Sequence, residues 1–375
     1  MHFISLQENL KRGLNIVGHI TSKNINLPIL NNILIRVEDG NIDFISTNLE
    51  IGITHQVRGK IEDNGEFTVD SKLINDYVSL LSGNEKVKIE EKEGILKIEC
   101  GNYKTKIKGE SAKEFPLIPS ISKESYYSCS VNDFKEGLNS VVFAVSNSDN
   151  RLELTGVLFS FIGDKLTVAA TDSYRLAERE IEVKGENIKD EQRVIIPART
   201  VQEVLRILNN LEFSNEVENK DVLKIYLSEG QILFTVDSVE LISRVINGHY
   251  PDYKQIIPNK SQTEILVERT ELIRAVKAAA LFSKTGINDI TLLFSKNKIL
   301  VSAFSGASGE SQIDLSAEVQ GDDNEITINY RFLLDGLNNI SSGKVKISVL
   351  NNSTPCVLRS EKDEGYLYIV MPIRQ

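Results

Sequence analysis

Three short motifs in this sequence could do covalent chemistry. Ser120-Ile121-Ser122-Lys123, Ser148-Asp149-Asn150 and Lys284-Thr285-Gly286 occur in the order in which a serine acyl-transferase uses them. In that chemistry the serine is the nucleophile and a lysine one turn away takes its proton, so the serine must open a buried helix. Here Ser120 follows Pro119 in a Pro-flanked linker. Lys-Thr-Gly, which should lie on an edge strand, closes a helical pattern over 269–283, with Gly286 as its stop. Motifs this short arise often by chance, and these contexts argue against acyl transfer. The four histidines, His2, His19, His55 and His249, pair with no His, Cys or carboxylate at metal-ligand spacing. Gly306-Ala307-Ser308-Gly309 lacks the third glycine and the strand–helix context of a dinucleotide fingerprint. The sequence therefore calls for no catalytic residue, no metal and no cofactor.

Charge is more informative. The 375 residues carry a net charge of -10, with 41% hydrophobic and 26% charged residues, ordinary for a soluble globular protein. No run of about 18 apolar residues could span a bilayer. The charged first apolar stretch (Glu8, Lys11, Arg12) does not read as a signal peptide. Cys100, Cys129 and Cys356 are few and far apart, which fits a reducing, cytoplasmic setting. Helical periodicity predicts six helices, over 5–17, 71–81, 131–145, 198–210, 268–284 and 329–341. Together they sum to +3 and the remainder of the chain to -13. An acidic protein that meets nucleic acid must confine its basic charge to one surface. The recurrence of Lys72, Arg199 and Arg331 at the start of every second helix marks such a surface.

The elements that would carry these residues recur three times. Lys11-Arg12-Gly13-Leu14-Asn15 returns as Lys135-Glu136-Gly137-Leu138-Asn139, and Thr47-Asn48 as Thr171-Asp172, both at an offset of 124. Three blocks of about 125 residues are domain-sized rather than solenoid repeats. We place them at 1–120, 121–258 and 259–375. First helices show stripes such as Leu6-Leu10-Leu14-Val17, with Ser5 and Glu8 as a capping box. Second helices show Leu73-Tyr77-Leu80, Val201-Leu205-Leu208 and Leu333-Leu337-Ile340. Strand runs flanking Asp39-Gly40 and Gly163-Asp164 read as hairpins, hence antiparallel sheets. Each block is an α+β unit with two helices.

Taken with Leu27-Pro28-Ile29-Leu30, Thr171-Asp172-Ser173-Tyr174-Arg175-Leu176-Ala177, Tyr250-Pro251-Asp252-Tyr253 and Val370-Met371-Pro372-Ile373-Arg374, the repeats make the whole chain resemble the bacterial beta sliding clamps, processivity subunits of DNA polymerase III. The resemblance implies an α+β fold of three similar clamp domains with antiparallel sheets, in a head-to-tail dimer that closes a ring. It implies a non-catalytic processivity factor that encircles double-stranded DNA without reading sequence. Lys11, Arg12, Lys72, Lys135, Arg199, Arg206, Arg274, Lys277 and Arg331 would face the DNA. Short peptides of the polymerase III alpha subunit, the clamp loader, other polymerases and repair proteins would dock on Leu154, Thr171, Arg175, Leu176, Pro251, Val370, Met371, Pro372 and Arg374. Arg175 would donate to the peptide, over a floor of Leu176, Val370 and Met371. Gln375 and Gln255 stand where the family often has Leu and a basic residue. The competing class is a serine acyl-transferase of the penicillin-recognising kind.

Overall fold

The computed structural model describes residues 1–21, 26–188, 191–211 and 222–373. The chain forms two compact units that do not follow the three sequence blocks. Unit one comprises Met1–Val131, Lys184–Ile188 and Glu203–Val245; unit two comprises Asn132–Val183, Lys189–Gln202 and Ile246–Gln375. The reason lies in strand pairing, because the middle block gives strands to two different large sheets.

In unit one, a nine-stranded sheet runs Lys184–Glu186, Tyr126–Ser130, Val222–Ser228, Gln231–Val236, Val239–Arg244, Ile51–Gln56, Asn41–Thr47, Asn32–Glu38, Gly65–Asp70. The first and second blocks meet where Ile242 pairs with Gly52 and Leu241 with Ile53, antiparallel. A five-stranded sheet runs Lys60–Asp63, His2–Leu6, Lys86–Lys92, Ile95–Cys100, Tyr103–Lys108. In unit two, the nine-stranded sheet runs Gln192–Pro197, Gly156–Ile162, Lys165–Thr171, Arg175–Glu182, Tyr366–Val370, Cys356–Ser360, Lys344–Val349, Thr263–Glu268, Glu318–Gly321. The second and third blocks meet where Leu176 pairs with Ile369. A four-stranded sheet runs Gly309–Ser316, Lys298–Ser305, Asp289–Ser295, Asn324–Asn329.

Among the described residues six α-helices are formed: α1 (Gln7–Gly18), α2 (Ser71–Ser79), α3 (Val131–Val142), α4 (Ala198–Asn210), α5 (Arg269–Ala280) and α6 (Tyr330–Asn338). They fall on the six predicted segments with somewhat tighter ends. In unit one α1 packs on α2 and on the strands Asn41–Thr47 and Ile51–Gln56. Its approach depends on Gly13, where a Cβ would stand 2.8 Å from Val57 Cγ2. Gly137, the same position one repeat later, leaves room for Ile181 Cδ1, which a Cβ would approach to 2.3 Å. These close contacts explain why the Gly-Leu-Asn pair recurs.

Two local expectations are corrected. Ser5 does not cap α1, which has no side-chain cap; its hydroxyl donates instead to the Arg58 carbonyl. The buried stripe of α2 is Ile74 and Val78, continued by Leu81, while Leu73 and Leu80 are 52% and 80% exposed. Both stripes have helical spacing, and only tertiary packing distinguishes them. The other two second helices bury the predicted stripes, Val201-Leu205-Leu208 and Leu333-Leu337-Ile340.

Candidate functional site

The basic side chains assigned to DNA all lie on helices, but their surroundings differ. In unit one Lys11 and Lys72 are exposed and have no ion-pair partner among the described residues. Arg12 leans on Asp237 at 3.7 Å. Beside it His55 is buried, and desolvation first, then the Arg12 charge, lowers its pKa to about 4. Arg206 is engaged within the protein. Its guanidinium donates to Glu203 and to the carbonyls of Asn15 (3.2 Å) and Ile16 (2.6 Å), so its charge ties α4 to the end of α1. His19 Nδ1 meets the same buried Glu203 carboxylate at 2.7 Å. In unit two Arg199, Arg274, Lys277 and Arg331 are exposed and Lys135 is half-buried. Arg274 pairs with Glu271 one turn earlier, at 3.2 Å.

The peptide-pocket residues fall in unit two. Thr171 and Asp172 build a tight turn. Thr171 Oγ1 donates to the Arg175 carbonyl (2.6 Å), and Asp172 Oδ1 accepts from the amides of Tyr174 (2.9 Å) and Arg175 (3.0 Å). The turn holds Ser173 at φ 77, in the left-handed region. The chain beyond residue 369 is stitched to this turn. Arg175 pairs with Val370, the Met371 amide donates to the Tyr174 carbonyl (2.9 Å), and the Ile373 amide donates to Thr327 (2.8 Å). Pro372 bridges to Ile328. Thus segments 199 positions apart, 171–176 and 370–373, lie side by side. Leu154 is buried at the end of a 3-10 turn, and Pro251 is half-buried. Arg374 and Gln375 lie outside the described residues.

Several of the assigned residues are already packed or bonded within the chain. Leu176 and Val370 are 1% and 0% exposed. Leu176 is core, with Leu158, Ala169, Tyr253 and Ile369. The Arg175 guanidinium is already engaged. Its Nε donates to Asp172 (3.0 Å), one Nη donates to the Phe143 carbonyl (2.8 Å), and the other pairs with Asp335 of α6. Its Cζ lies over the rings of Phe332 (4.7 Å to the centroid) and Phe143 (5.5 Å). Arg175 thus links the second block to the third through Asp335 and Phe332. Exposed apolar residues of unit two outside the assigned set include Tyr174, which lies within the Thr171–Ala177 motif, and Leu152 and Ile256, which lie outside the motifs. Tyr174 is 65% exposed and stacked on Phe332, and Leu152 and Ile256 are also exposed. Tyr174 is signalled by its place inside the motif, and Leu152 and Ile256 only by their nearness in sequence to Leu154 and Tyr253.

The acyl-transfer motifs are occupied with local structure. Ser120 lies in an extended, exposed segment, and Lys123 pairs with Glu240. The Ser148 hydroxyl caps the Asn150 amide, and the Lys284 amide donates to Asp289 Oδ1 (3.1 Å). No helix places Lys123 beside Ser120. Among the described residues no group of three or more His, Cys, Asp or Glu could hold a metal ion. No helix among them is long and apolar enough to cross a membrane.

Comparison with known proteins agrees with this architecture along its whole length. The beta sliding clamp of Synechococcus elongatus is 28% identical, over 100% of this chain and 99% of that protein. The solved DNA polymerase sliding clamp of Bacillus subtilis superposes with a TM-score of 0.91 at 26% identity, covering 100% of this chain and 99% of the other. That of Pseudomonas aeruginosa shares the fold, with a TM-score of 0.93 at 24% identity and full coverage of both chains. Family models for the N-terminal, central and C-terminal domains of the DNA polymerase III beta subunit match residues 1–119, 128–252 and 254–374 in turn, and the chain belongs to that family, the beta sliding clamps.

Proposed function

We propose that this chain works as a DNA sliding clamp, in which two copies join head to tail into a ring around duplex DNA and tether polymerase III and other DNA-processing proteins. It acts without catalysis of its own and in the cytoplasm. The observation that carries the reading is the match of three clamp-domain models in order along one chain. Exposed Lys11, Lys72, Arg199, Lys277 and Arg331 on the helices support weak, salt-sensitive contact with phosphates. Such contact suits a topological tether, which needs no strong grip.

Head-to-tail closure has physical support at two unpaired sheet edges. Tyr103–Lys108, the edge of the five-stranded sheet, carries exposed Lys104, Lys106 and Lys108, with Tyr103 and Leu73 of unit one also exposed. Gly309–Ser316, the edge of the four-stranded sheet, carries Glu310 and Asp314, with Leu281 and Phe304 of unit two exposed. A basic edge in one copy and an acidic edge in the other complement each other, and a heterologous contact of this kind closes a ring when its rotation permits. The peptide site would lie at the 171–176 turn and the chain beyond Val370, with Tyr174 and Met371 as apolar contacts.

The test is retention on DNA. The protein, loaded onto nicked circular plasmid by a clamp loader, should co-elute with the plasmid in gel filtration and be released when the plasmid is cut once. Retention on linear DNA with free ends, or a monomer of 42.0 kDa at working concentration, would refute the ring.

A further inference from the structure

The turn at Thr171 has a copy in unit one. Thr47 Oγ1 donates to the Ile51 carbonyl (2.9 Å), the Leu49 amide to Thr47 Oγ1 (3.0 Å) and the Ile51 amide to Asn48 Oδ1 (2.8 Å). Leu49 sits at φ 76, as Ser173 sits at 77. Leu30 and Leu154, also 124 apart, are equally buried. The sheet faces beside the two turns are nevertheless filled differently. In unit two, Leu158, Ala169 and Leu176 merge with Tyr253 into one cluster, against which Tyr250 packs. In unit one the corresponding residues are Leu34, Ile45 and Gly52. The connector over them packs as two separate clusters, one around Phe115 and one around Ile121. A groove of about 250 Å³ remains between connector and sheet, bordered by Ile118, Ile121, Asp43 and Glu240.

Arg36 and Lys123 line this groove with Asp43 and Glu240, and among the described residues Asp43 alone of the four makes no close ion pair. Glu240 is paired with Lys123, and Arg36 lies against Glu66 at 3.7 Å. Asp43 has no hydrogen-bond or ion-pair partner among the described residues. Burial first of all, and the neighbouring Glu240, hold its carboxyl above the usual range against the pull of Arg36. A half-buried carboxylate that faces Arg36 across the strand pair without a direct bond, with Ile118 and Ile121 on the same groove, favours a cation that brings its own apolar flanks. We propose that this groove is a second peptide-docking site, taking an extended segment of a partner protein whose arginine or lysine meets Asp43 while its apolar neighbours lie against Ile118 and Ile121.

The proposal can be tested on the full-length protein labelled at isoleucine δ1 methyls. The probe is the peptide acetyl-Leu-Arg-Leu-Phe-amide, and its control carries citrulline, which keeps the shape and removes the charge. The arginine peptide should shift Ile45, Ile118, Ile121 and Ile242, and the citrulline peptide should bind about tenfold more weakly, the scale of one charge-assisted hydrogen bond. An Asp43→Asn variant should bind the two alike. Shifts confined to isoleucines of unit two, such as Ile246 and Ile257, would overturn the proposal. So would equal affinity of both peptides for the unaltered protein, a comparison that holds even if the variant misfolds.

Discussion

Arg199 and Arg206 lie two turns apart on α4 and look alike in the sequence, yet among the described residues Arg199 has no ion-pair partner and Arg206 is committed. Arg206→Gln should leave the buried Glu203 carboxylate with only His19 beside it and cost on the order of 2–3 kcal/mol, read as a lower denaturation midpoint at unchanged m-value. Arg199→Glu, combined with Lys72→Glu and Arg331→Glu, should leave that midpoint within about 0.5 kcal/mol. The same triple change should weaken retention on circular DNA and flatten the logarithmic salt dependence by about one unit for each phosphate no longer neutralised. An unchanged slope would remove these residues from the DNA-facing surface. His55 makes a different prediction. Its proton is bound in the unfolded chain below about pH 6.5 but in the folded protein only below about 4. Stability should therefore be complete above pH 6.5 and fall as pH drops toward 4, by about 3 kcal/mol at most for this group. Denaturant melts at pH 7 and pH 4.5 should show the loss, and His55→Gln should shrink it.

At the scale of elements, the turn and the distal strand act as one device. Tyr174 is bonded to Met371 and Arg175 pairs with Val370, backbone to backbone, across 197 and 195 positions of sequence. Removing residues 371–375 should abolish binding of a polymerase-tail peptide, a loss of at least about 2 kcal/mol or thirtyfold, and leave the dimer intact. Fluorescence polarisation with a labelled peptide measures it, and unaltered affinity in the truncated dimer would place the peptide elsewhere. The repeated motifs were legible here because close packing demands them, as Gly13 and Gly137 illustrate. What the sequence hid was commitment. Arg175 and Arg206 look like surface donors until their acceptors, which come from distant segments, are known. The α2 stripe was misphased because a nine-residue helix carries two apolar rows, Leu73-Tyr77-Leu80 and Ile74-Val78-Leu81, and periodicity cannot rank them. The exposed row is itself informative, since it stands near the chain segment that we assign to the dimer contact.

For the whole molecule, the lysine-rich and acid-bearing edges predict an assembly governed by ionic strength. Lys106→Glu should raise the dimer dissociation constant several-fold at 0.1 M salt and much less at 1 M, where charges are screened beyond about 3 Å. Sedimentation equilibrium at the two salt concentrations distinguishes this from a dimer held by apolar contact alone, for which the substitution would act equally at both. The joins between the blocks were the least legible part of the fold. Nothing local in Val239–Arg244 marks it as the partner of Ile51–Gln56, because alternating strands pair with any edge of matching pattern.

That join also sets a schedule for synthesis. Thr54 pairs with Glu240, 186 residues later in the chain. At translation rates of about 5–20 residues per second, the strand Ile51–Gln56 leaves the ribosome roughly 10–40 seconds before its neighbour is made. During that interval the first block presents an open, apolar sheet edge in a crowded cell. Its protection then rests on Gln56 and the charged residues around the strand, and on any chaperone that holds the nascent chain. Synonymous codons that slow translation between residues 60 and 240 should lengthen the exposure and lower the soluble yield while the finished protein stays the same in every bond.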